Sequence, residues 1–221
     1  MINKILKYIS DHRILSLAIY FSIFLLLVIG FVHVADEVLE GETLGPDKAI
    51  LYAINGIASP FLNTLFVLIT ELGGVLSIIT ISAGLLAILV LRRKYQQAFV
   101  VAATVGGAAL LNFILKLIFE RTRPDLWERL VTETSYSFPS GHAMISSALA
   151  ISVIFIFWKT RYRWPVLIIG VLFVAIIGFS RLYLGVHYPT DILAGWIVSA
   201  AWLAAVVVVV NAKDVRKSIK K

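Results

Sequence analysis

Residues 74–118 read GVLSIITISAGLLAILVLRRKYQQAFVVAATVGGAALLNFILKLI, two apolar runs separated by a short polar turn. The runs, 74–91 and 98–118, are close to the roughly 20 residues that a helix needs to cross the hydrocarbon of a bilayer. Three consecutive basic residues, Arg92, Arg93 and Lys94, begin the turn. Because basic residues are enriched in cytoplasmic loops, this stretch predicts two antiparallel membrane helices joined on the cytoplasmic side.

The rest of the chain has the same apolar character. Hydrophobic residues make up 60% of its 221 residues, whereas soluble domains contain about 45–50%. The absence of cysteine excludes a disulfide framework, thiolate catalysis and a cysteine-ligated metal. The net charge of +7 does not indicate nucleic-acid binding, because the basic residues lie in short runs between apolar stretches. We expect one integral membrane domain over residues 1–221.

Six apolar stretches predict an all-α bundle of six transmembrane helices. Their approximate bounds are 14–35, 74–91, 98–118, 142–158, 165–180 and 192–210. A further segment, 49–71, is apolar and long enough to span, but its residues segregate. Apolar side chains such as Ile50 and Ile54 fall on one helical face, and Asn55, Ser59 and Asn63 fall on another. This pattern predicts an additional amphipathic helix between spans one and two, in the membrane interface or beside the bundle.

The distribution of charge orients these spans. With six spans and a cytoplasmic amino terminus, both termini lie inside, and the first outer loop is rich in acidic residues. Only six basic residues then lie outside: Lys48, Lys116, Arg121, Arg123, Arg129 and Arg181. The other 14 of the 20 lie inside: Lys4, Lys7, Arg13, Arg92, Arg93, Lys94, Lys159, Arg161, Arg163, Lys213, Arg216, Lys217, Lys220 and Lys221. A seventh span over 49–71 would break this agreement.

Three polar clusters occur where this topology places the outer ends of spans three to six. The first, KLIFERTRP, covers residues 116–124 at the end of span three. The second, FPSGH, covers residues 138–142 at the start of span four. The third, SRLYLGVHYPTD, covers residues 180–191 between spans five and six. Since all four span ends lie on one side, we expect the clusters to meet.

The residue types in these clusters favour a phosphate-like ligand. Lys116, Arg123 and Arg181 are three cations, and arginine forks match the paired oxygens of a phosphoryl group. Ser140 and Gly141 precede an apolar helical run. They therefore place a hydroxyl and backbone N–H groups at a helix amino terminus, which is a ready site for an anion.

Two of the four histidines, His142 and His187, lie in the clusters, whereas His12 and His33 lie at span ends and are interpreted as interfacial. One imidazole can attack phosphorus if its other nitrogen is held in the right tautomer. Asp191 follows His187 by four residues, a spacing that lets a carboxylate accept the second N–H. The second histidine can then protonate the leaving oxygen.

These residues resemble the type 2 phosphatidic acid phosphatase superfamily, whose pattern reads K-x6-RP, then PSGH, then SR-x5-H-x3-D. Lys116 is followed by six residues and Arg123-Pro124, and the second element is Pro139-Ser140-Gly141-His142. The third element runs from Ser180-Arg181 through His187 to Asp191. Every signature position is filled, and the core motifs span residues 116–191.

The resemblance implies a role for each of these residues. His187 would be the nucleophile, His142 the acid that protonates the leaving group, and Asp191 the group that orients His187. The phosphate would be held by Lys116, Arg123, Ser140, Gly141 and Arg181. Catalysis would need neither a metal nor another cofactor, and the three motifs contain no carboxylate-rich cluster that would hold magnesium.

The expected activity is hydrolysis of phosphomonoester or diphosphate head groups of membrane lipids on the outer face, through a phosphohistidine. Phosphatidylglycerol phosphate, phosphatidate and undecaprenyl diphosphate are the candidate substrates. A dedicated undecaprenyl diphosphate phosphatase and a lipid phosphotransferase remain alternatives. An anion or lipid transporter is disfavoured, because transporters bind near the bilayer midplane. The motifs leave the lipid and the oligomeric state open.

Overall fold

The computed structural model describes residues 2–219, and it describes side chains for residues 15–212. The described chain is entirely helical apart from its turns and loops, so the all-α prediction is confirmed. Eight helices follow in chain order: α1 (Ile2–Glu40), α2 (Leu44–Asn55), α3 (Pro60–Leu72), α4 (Val75–Leu91), α5 (Tyr95–Phe119), α6 (Gly141–Phe157), α7 (Arg163–Tyr183) and α8 (Pro189–Ile219). His12 and the basic side chains of both termini, which entered the charge count, lie outside the described side chains.

Four helical segments are long and apolar enough to cross a membrane: Leu15–Glu40 of α1, α5, α7 and Pro189–Ala212 of α8. Helices α3 and α4 are together apolar enough for a fifth span, but they are bent by 43° where they join. Helix α6 is apolar but has only 17 residues. By length and composition, the described residues therefore support a multi-pass membrane protein with four spans, or five if the bent pair is one span.

The segment 49–71 differs from the prediction of one amphipathic helix. It is divided between α2, which ends at Asn55, and α3, which begins at Pro60. The Ser59 side chain accepts a hydrogen bond from the Leu62 N–H at 3.3 Å and so caps α3. Pro60 occupies the first turn of α3, where its missing N–H costs nothing, whereas inside one continuous helix it would break the hydrogen bonding. The single-helix prediction is therefore wrong.

Helix α6 lies at the centre of the bundle, in contact with α5, α7 and α8, and α1 packs along α8. The buried face of α6 consists mostly of small residues, including Ala143, Ser147 and Ala148. Small side chains let membrane helices approach closely. Gly195 of α8 shows this approach, since a Cβ there would lie 3.1 Å from the carbonyl oxygen of Ser140. The start of α8 is thereby packed against the start of α6.

The outer surface of the bundle is apolar. Leu26, Leu76 and Leu91 are among many large hydrophobic side chains that stand exposed, Leu91 by 83%. Soluble monomers rarely expose large contiguous apolar patches. The surface is that of a protein whose surrounding solvent is lipid.

Candidate active site

The three sequence clusters meet at one end of the bundle, formed by the ends of α5 and α7 and the starts of α6 and α8. A cavity of about 150 Å³ lies there. Five of the predicted site residues line it: Lys116, Arg123, Gly141, His142 and His187. Asn112, Glu133 and Ser135, which the sequence did not single out, line it as well.

Hydrogen bonds tie the clusters together through their backbones. The Asn112 side chain of α5 donates to the Pro139 carbonyl at 3.0 Å. Ser140 is fully buried; its backbone N–H donates to the Asp191 carbonyl at 3.1 Å, and its side chain accepts from Ala143 N–H as the cap of α6. Gly141 and His142 are thereby fixed at the first turn of α6.

His187 and Asp191 form a buried pair. The His187 Nδ1 lies 3.2 Å from Asp191 Oδ2, and both side chains are almost completely buried. The same oxygen accepts from the Tyr188 N–H at 2.9 Å and from the Ser137 hydroxyl. An ionised carboxylate only accepts hydrogen bonds, so the contact requires the proton on Nδ1. The lone pair is then on Nε2, on the opposite side of the ring.

Nε2 of His187 faces the cations. The Arg123 Nη1 lies 3.0 Å from Nε2, and burial lowers the pKa of His187 well below its usual value of 6.5, with Arg123 lowering it further. A lowered pKa keeps the imidazole neutral at pH 7. His187 therefore presents an unprotonated nitrogen towards the cavity.

Arg123 is fixed by the loops on either side of it. Its Nε donates to the Ser135 carbonyl at 2.7 Å, and its Nη1 donates to the Val186 carbonyl at 2.8 Å. Lys116 supports the same loop, donating to the Tyr136 carbonyl and, at 3.4 Å, to the Ser135 hydroxyl. Both cations therefore line the cavity, and several of their N–H donors are already bonded to backbone carbonyl oxygens.

Gly185 shapes the turn that carries His187. Its φ of +67° lies in the left-handed region, which glycine adopts without penalty. A Cβ at this position would also lie 2.8 Å from the Trp127 ring. Both constraints restrict the position to glycine and fix the direction in which the chain leaves α7 towards His187.

Arg181 is the most deeply buried of the three cations, with 1% of its side chain exposed. Its Nη1 donates to the Thr70 hydroxyl of α3 at 2.7 Å, and its Nη2 donates to the Glu133 carboxylate. Among the described atoms, its Nε has no hydrogen-bond partner. Such an unpaired buried donor is costly and marks a place where an acceptor is expected.

Glu133 was not identified from the sequence, yet it lies between two of the predicted phosphate ligands. Its carboxylate pairs with Arg181 and lies 3.4 Å from the Arg123 Nη2. Burial alone would raise the pKa of Glu133, but Arg181 and Arg123 outweigh burial and lower it. The carboxylate is therefore ionised at neutral pH and holds the place of an anion between the two guanidinium groups.

Arg121 is largely buried, with 9% of its side chain exposed, although the sequence indicated only a charge of the outer loop. It lies between two carboxylates, 2.6 Å from Asp191 Oδ1 and 2.9 Å from Asp47 Oδ2. The sequence signal that could have identified Arg121 was its position two residues before Arg123. Asp47 offered no such signal, because it lies in an acidic segment far away along the chain.

The other features that bear on function lie elsewhere. A larger cavity of about 810 Å³ lies among α1, α5, α6 and α8, at the end of α6 that is remote from His142, and its lining includes Tyr20, Ile154 and Asn211. His33 stands on the exposed side of α1, with Nε2 3.3 Å from Glu37. No group of three or more metal-binding side chains occurs among the described residues.

The fold and the site define a class: a multi-pass, all-helical membrane protein in which one end of the bundle holds a histidine–aspartate pair beside three cations. A family model for the PAP2 superfamily matches residues 97–214, the part of the chain that contains all three clusters.

Similar proteins agree with this match. Phosphatidylglycerophosphatase B of Bacillus subtilis is 32% identical over 77% of this chain and 86% of its own length. An undecaprenyl-diphosphatase of Sulfolobus acidocaldarius is 27% identical over 91% of this chain and 97% of its own length. The crystal structure of a transmembrane PAP2-type phosphatidylglycerolphosphate phosphatase from Bacillus subtilis superimposes with a TM-score of 0.77, at 30% identity, over 83% of this chain and 93% of that one. The chain belongs to the PAP2 superfamily.

Proposed function

We propose that this protein is an integral membrane hydrolase that removes phosphate from lipid head groups through a phosphohistidine on His187. The observation that carries the proposal is the geometry of His187. Its Nδ1 lies 3.2 Å from Asp191, and its Nε2 faces a small cavity lined by cations. The names of the relatives support lipid phosphates as the substrate class.

In the first step, Nε2 of His187 attacks phosphorus while the bond from phosphorus to the leaving oxygen breaks. The Nδ1 proton stays on the ring and keeps its contact with Asp191, which stabilises the positive charge that develops on the imidazole. His142, on the wall of the same cavity, gives its proton to the leaving oxygen. The lipid alcohol then departs into the membrane.

Phosphoryl transfer passes through a loose transition state whose charge is spread over the equatorial oxygens, so positioned cations supply much of the catalysis. Lys116, Arg123 and Arg181 are the cations available. The substrate phosphate replaces the Glu133 carboxylate between the two arginines, and the unpaired Arg181 Nε gains an acceptor. The first turn of α6, at Gly141 and His142, adds backbone N–H groups.

In the second step, water attacks the phosphohistidine. His142 gave up its proton in the first step and now accepts one from this water. The phosphorus–nitrogen bond breaks, inorganic phosphate leaves, and His187 is again neutral with its proton on Nδ1. None of these steps uses a metal ion.

We propose the six-span arrangement for the membrane. The spans are α1, α4, α5, α6, α7 and α8, and α2 and α3 lie at the outer interface. A helix of 17 residues is about 26 Å long, so α6 nearly crosses hydrocarbon of about 30 Å. The basic residues at positions 92–94 and 159–163 then lie inside, and the site faces outside.

This topology predicts the labelling of single cysteines, which can be introduced without background because the natural chain has none. In intact cells, a cysteine replacing the exposed Asp125 is expected to react with a membrane-impermeant thiol reagent, whereas one replacing the exposed Thr160 is not. Thr160→Cys should react after the cells are opened. The reverse pattern in intact cells would place the site in the cytoplasm.

The proposed activity predicts phosphate release by the purified protein in detergent from phosphatidylglycerol phosphate, phosphatidate, lysophosphatidate or undecaprenyl diphosphate. Release should survive exhaustive chelation and should be inhibited by vanadate, which mimics five-coordinate phosphorus. Loss on chelation with recovery on adding magnesium would contradict the histidine mechanism. Because one relative is an undecaprenyl-diphosphatase, undecaprenyl diphosphate is the second candidate substrate. If the protein hydrolyses this diphosphate in preference to every monophosphate, its function is that of an undecaprenyl diphosphate phosphatase.

A further inference from the structure

A buried chain of charges lies behind the histidine–aspartate pair, on the side away from the cavity. Arg121 bridges Asp191 Oδ1 at 2.6 Å and Asp47 Oδ2 at 2.9 Å. The exposed fractions are 9% for the Arg121 side chain, 2% for Asp47 and 0% for Asp191. These three residues come from three different parts of the chain, so their contacts depend on the packing of the whole bundle.

The remaining hydrogen bonds of this chain of charges are satisfied. Asp47 Oδ1 accepts from the Thr190 N–H at 3.1 Å, and Asp47 Oδ2 accepts from the Thr190 hydroxyl at 2.6 Å. Arg121 also donates to Thr190 and Thr43, and its guanidinium lies 4.2 Å from the centre of the Tyr188 ring. Asp47 thus anchors α2 to the first turn of α8, beside Asp191.

We propose that Arg121 and Asp47 are positioning residues that set the negative charge Asp191 presents to His187, and that they hold α2 against the catalytic turn. The inference rests on the proposed phosphatase function. Neither residue lines the cavity, so both act through Asp191.

The physical reason lies in the two demands on His187. The nucleophile must be neutral when substrate arrives, yet the imidazolium that forms in the transfer needs a nearby negative charge. A buried aspartate with no counter-ion would satisfy the second demand and defeat the first, because it would favour the protonated ring. The positive charge of Arg121 offsets part of the negative charge of Asp191. The negative charge of Asp47 in turn offsets part of the positive charge of Arg121. The three residues Asp47, Arg121 and Asp191 carry a net charge of −1.

Other charged groups also face His187. Arg123 and Glu133 lie on the loop between α5 and α6, Lys116 on α5, His142 on α6 and Arg181 on α7. All five stay unchanged in the variants below. A change in the titration of His187 between variants therefore reports the chain of charges behind Asp191.

The test uses the full-length protein and the pH dependence of kcat/KM for nitrophenyl phosphate. In Arg121→Gln the net charge of the three positions becomes −2, and the acid limb is expected to move to higher pH by about one unit, a tenfold change in proton affinity. In Asp47→Asn the net charge becomes 0, and the acid limb should not move to higher pH. In the double variant Asp191 keeps its charge without a counter-ion, so the limb should lie between those of Arg121→Gln and the natural protein.

A purely structural role predicts a different result. Each single variant would then lose activity without a shift of the acid limb along the pH axis in the expected direction. The double variant would be no more active than the less active single variant. Either finding would overturn the inference. Arg121→Lys, which keeps the charge, should recover part of the activity. Arg129→Gln is the matched control, since Arg129 hydrogen-bonds the Pro124 carbonyl on the same loop and should leave the profile unchanged.

For variants whose turnover is too slow for a pH profile, the His187 pKa can be measured by nuclear magnetic resonance. The imidazole nitrogen signals of histidine-labelled protein give the His187 pKa directly, once its signals are assigned by their loss in His187→Ala. We expect the His187 pKa to be highest in Arg121→Gln and lower in the double variant. In Asp47→Asn it should be equal to or lower than in the double variant. Any other order would overturn the inference. Absence of phosphatase activity in the natural protein would instead reject the proposed function.

Discussion

Replacing His187 with alanine is expected to abolish turnover of every substrate, with a loss of about 10⁴-fold or more, because no covalent intermediate can then form. Among the described residues, His187 is the imidazole with one nitrogen hydrogen-bonded to a carboxylate and the other facing the cavity, and the change removes it. The measurement is steady-state phosphate release from a lipid phosphate and from nitrophenyl phosphate, with the detergent-purified variant compared at equal concentration.

His142→Ala is the matched comparison, since it removes the second imidazole of the same cavity. Its effect should depend on the leaving group: a lipid glycerol oxygen needs a proton to depart, whereas nitrophenol needs little help. We expect a large loss of turnover for the lipid and a nearly normal first step for nitrophenyl phosphate. Equal losses of the first step for the two substrates would remove His142 from the role of acid.

The second large effect concerns Arg123, which lines the cavity, and Arg181, which shares the Glu133 carboxylate with it. Arg123→Ala and Arg181→Ala are each expected to lower kcat by roughly 10²–10³-fold, because each removes a donor aimed at charge that develops in the transition state. Arg181→Ala also leaves Glu133 with Arg123 as its ion-pair partner. Size-exclusion profiles of the variants separate loss of catalysis from loss of folding.

Arg129→Ala is the control for this pair. Its side chain hydrogen-bonds the Pro124 carbonyl at 3.0 Å and lies 3.7 Å from the exposed Asp125, so it contributes little beyond the loop itself. We expect a change in kcat of less than about twofold, as for most surface substitutions away from a special feature. A loss as large as that of Arg123→Ala would mean that the phosphate ligands were wrongly chosen.

The sequence predicts the parts of the site that lie within motifs and at span ends. Helix periodicity and loop charge place Lys116, His142, His187 and Asp191 at one end of a bundle, because antiparallel spans alternate in direction. The structure brings these residues together, and the family match covers the region that contains them.

The sequence did not predict the partners that come from outside the motifs. Glu133 lies in a loop without regular structure, and Asp47 lies more than 70 residues from Arg121 along the chain. Such contacts depend on how loops and distant helices pack, which no local pattern records. Thr70 of α3 reaches Arg181 for the same reason.

The break between α2 and α3 was missed for a different reason. The apolar period of 49–71 continues through the break, so periodicity alone favoured one helix. The local signal was present in Ser59 and Pro60, a cap followed by a proline in the first turn. Here the capping residues were the better guide to the fold than the amphipathic pattern.

In the proposed mechanism, His187 accepts the phosphoryl group and His142 transfers protons. The most direct measurement is a rapid-quench time course of nitrophenol release with each alanine variant. We expect a burst close to one equivalent from His142→Ala, because the phosphohistidine forms but its hydrolysis lacks a base, and no burst from His187→Ala. A burst from His187→Ala with none from His142→Ala would reverse the two roles.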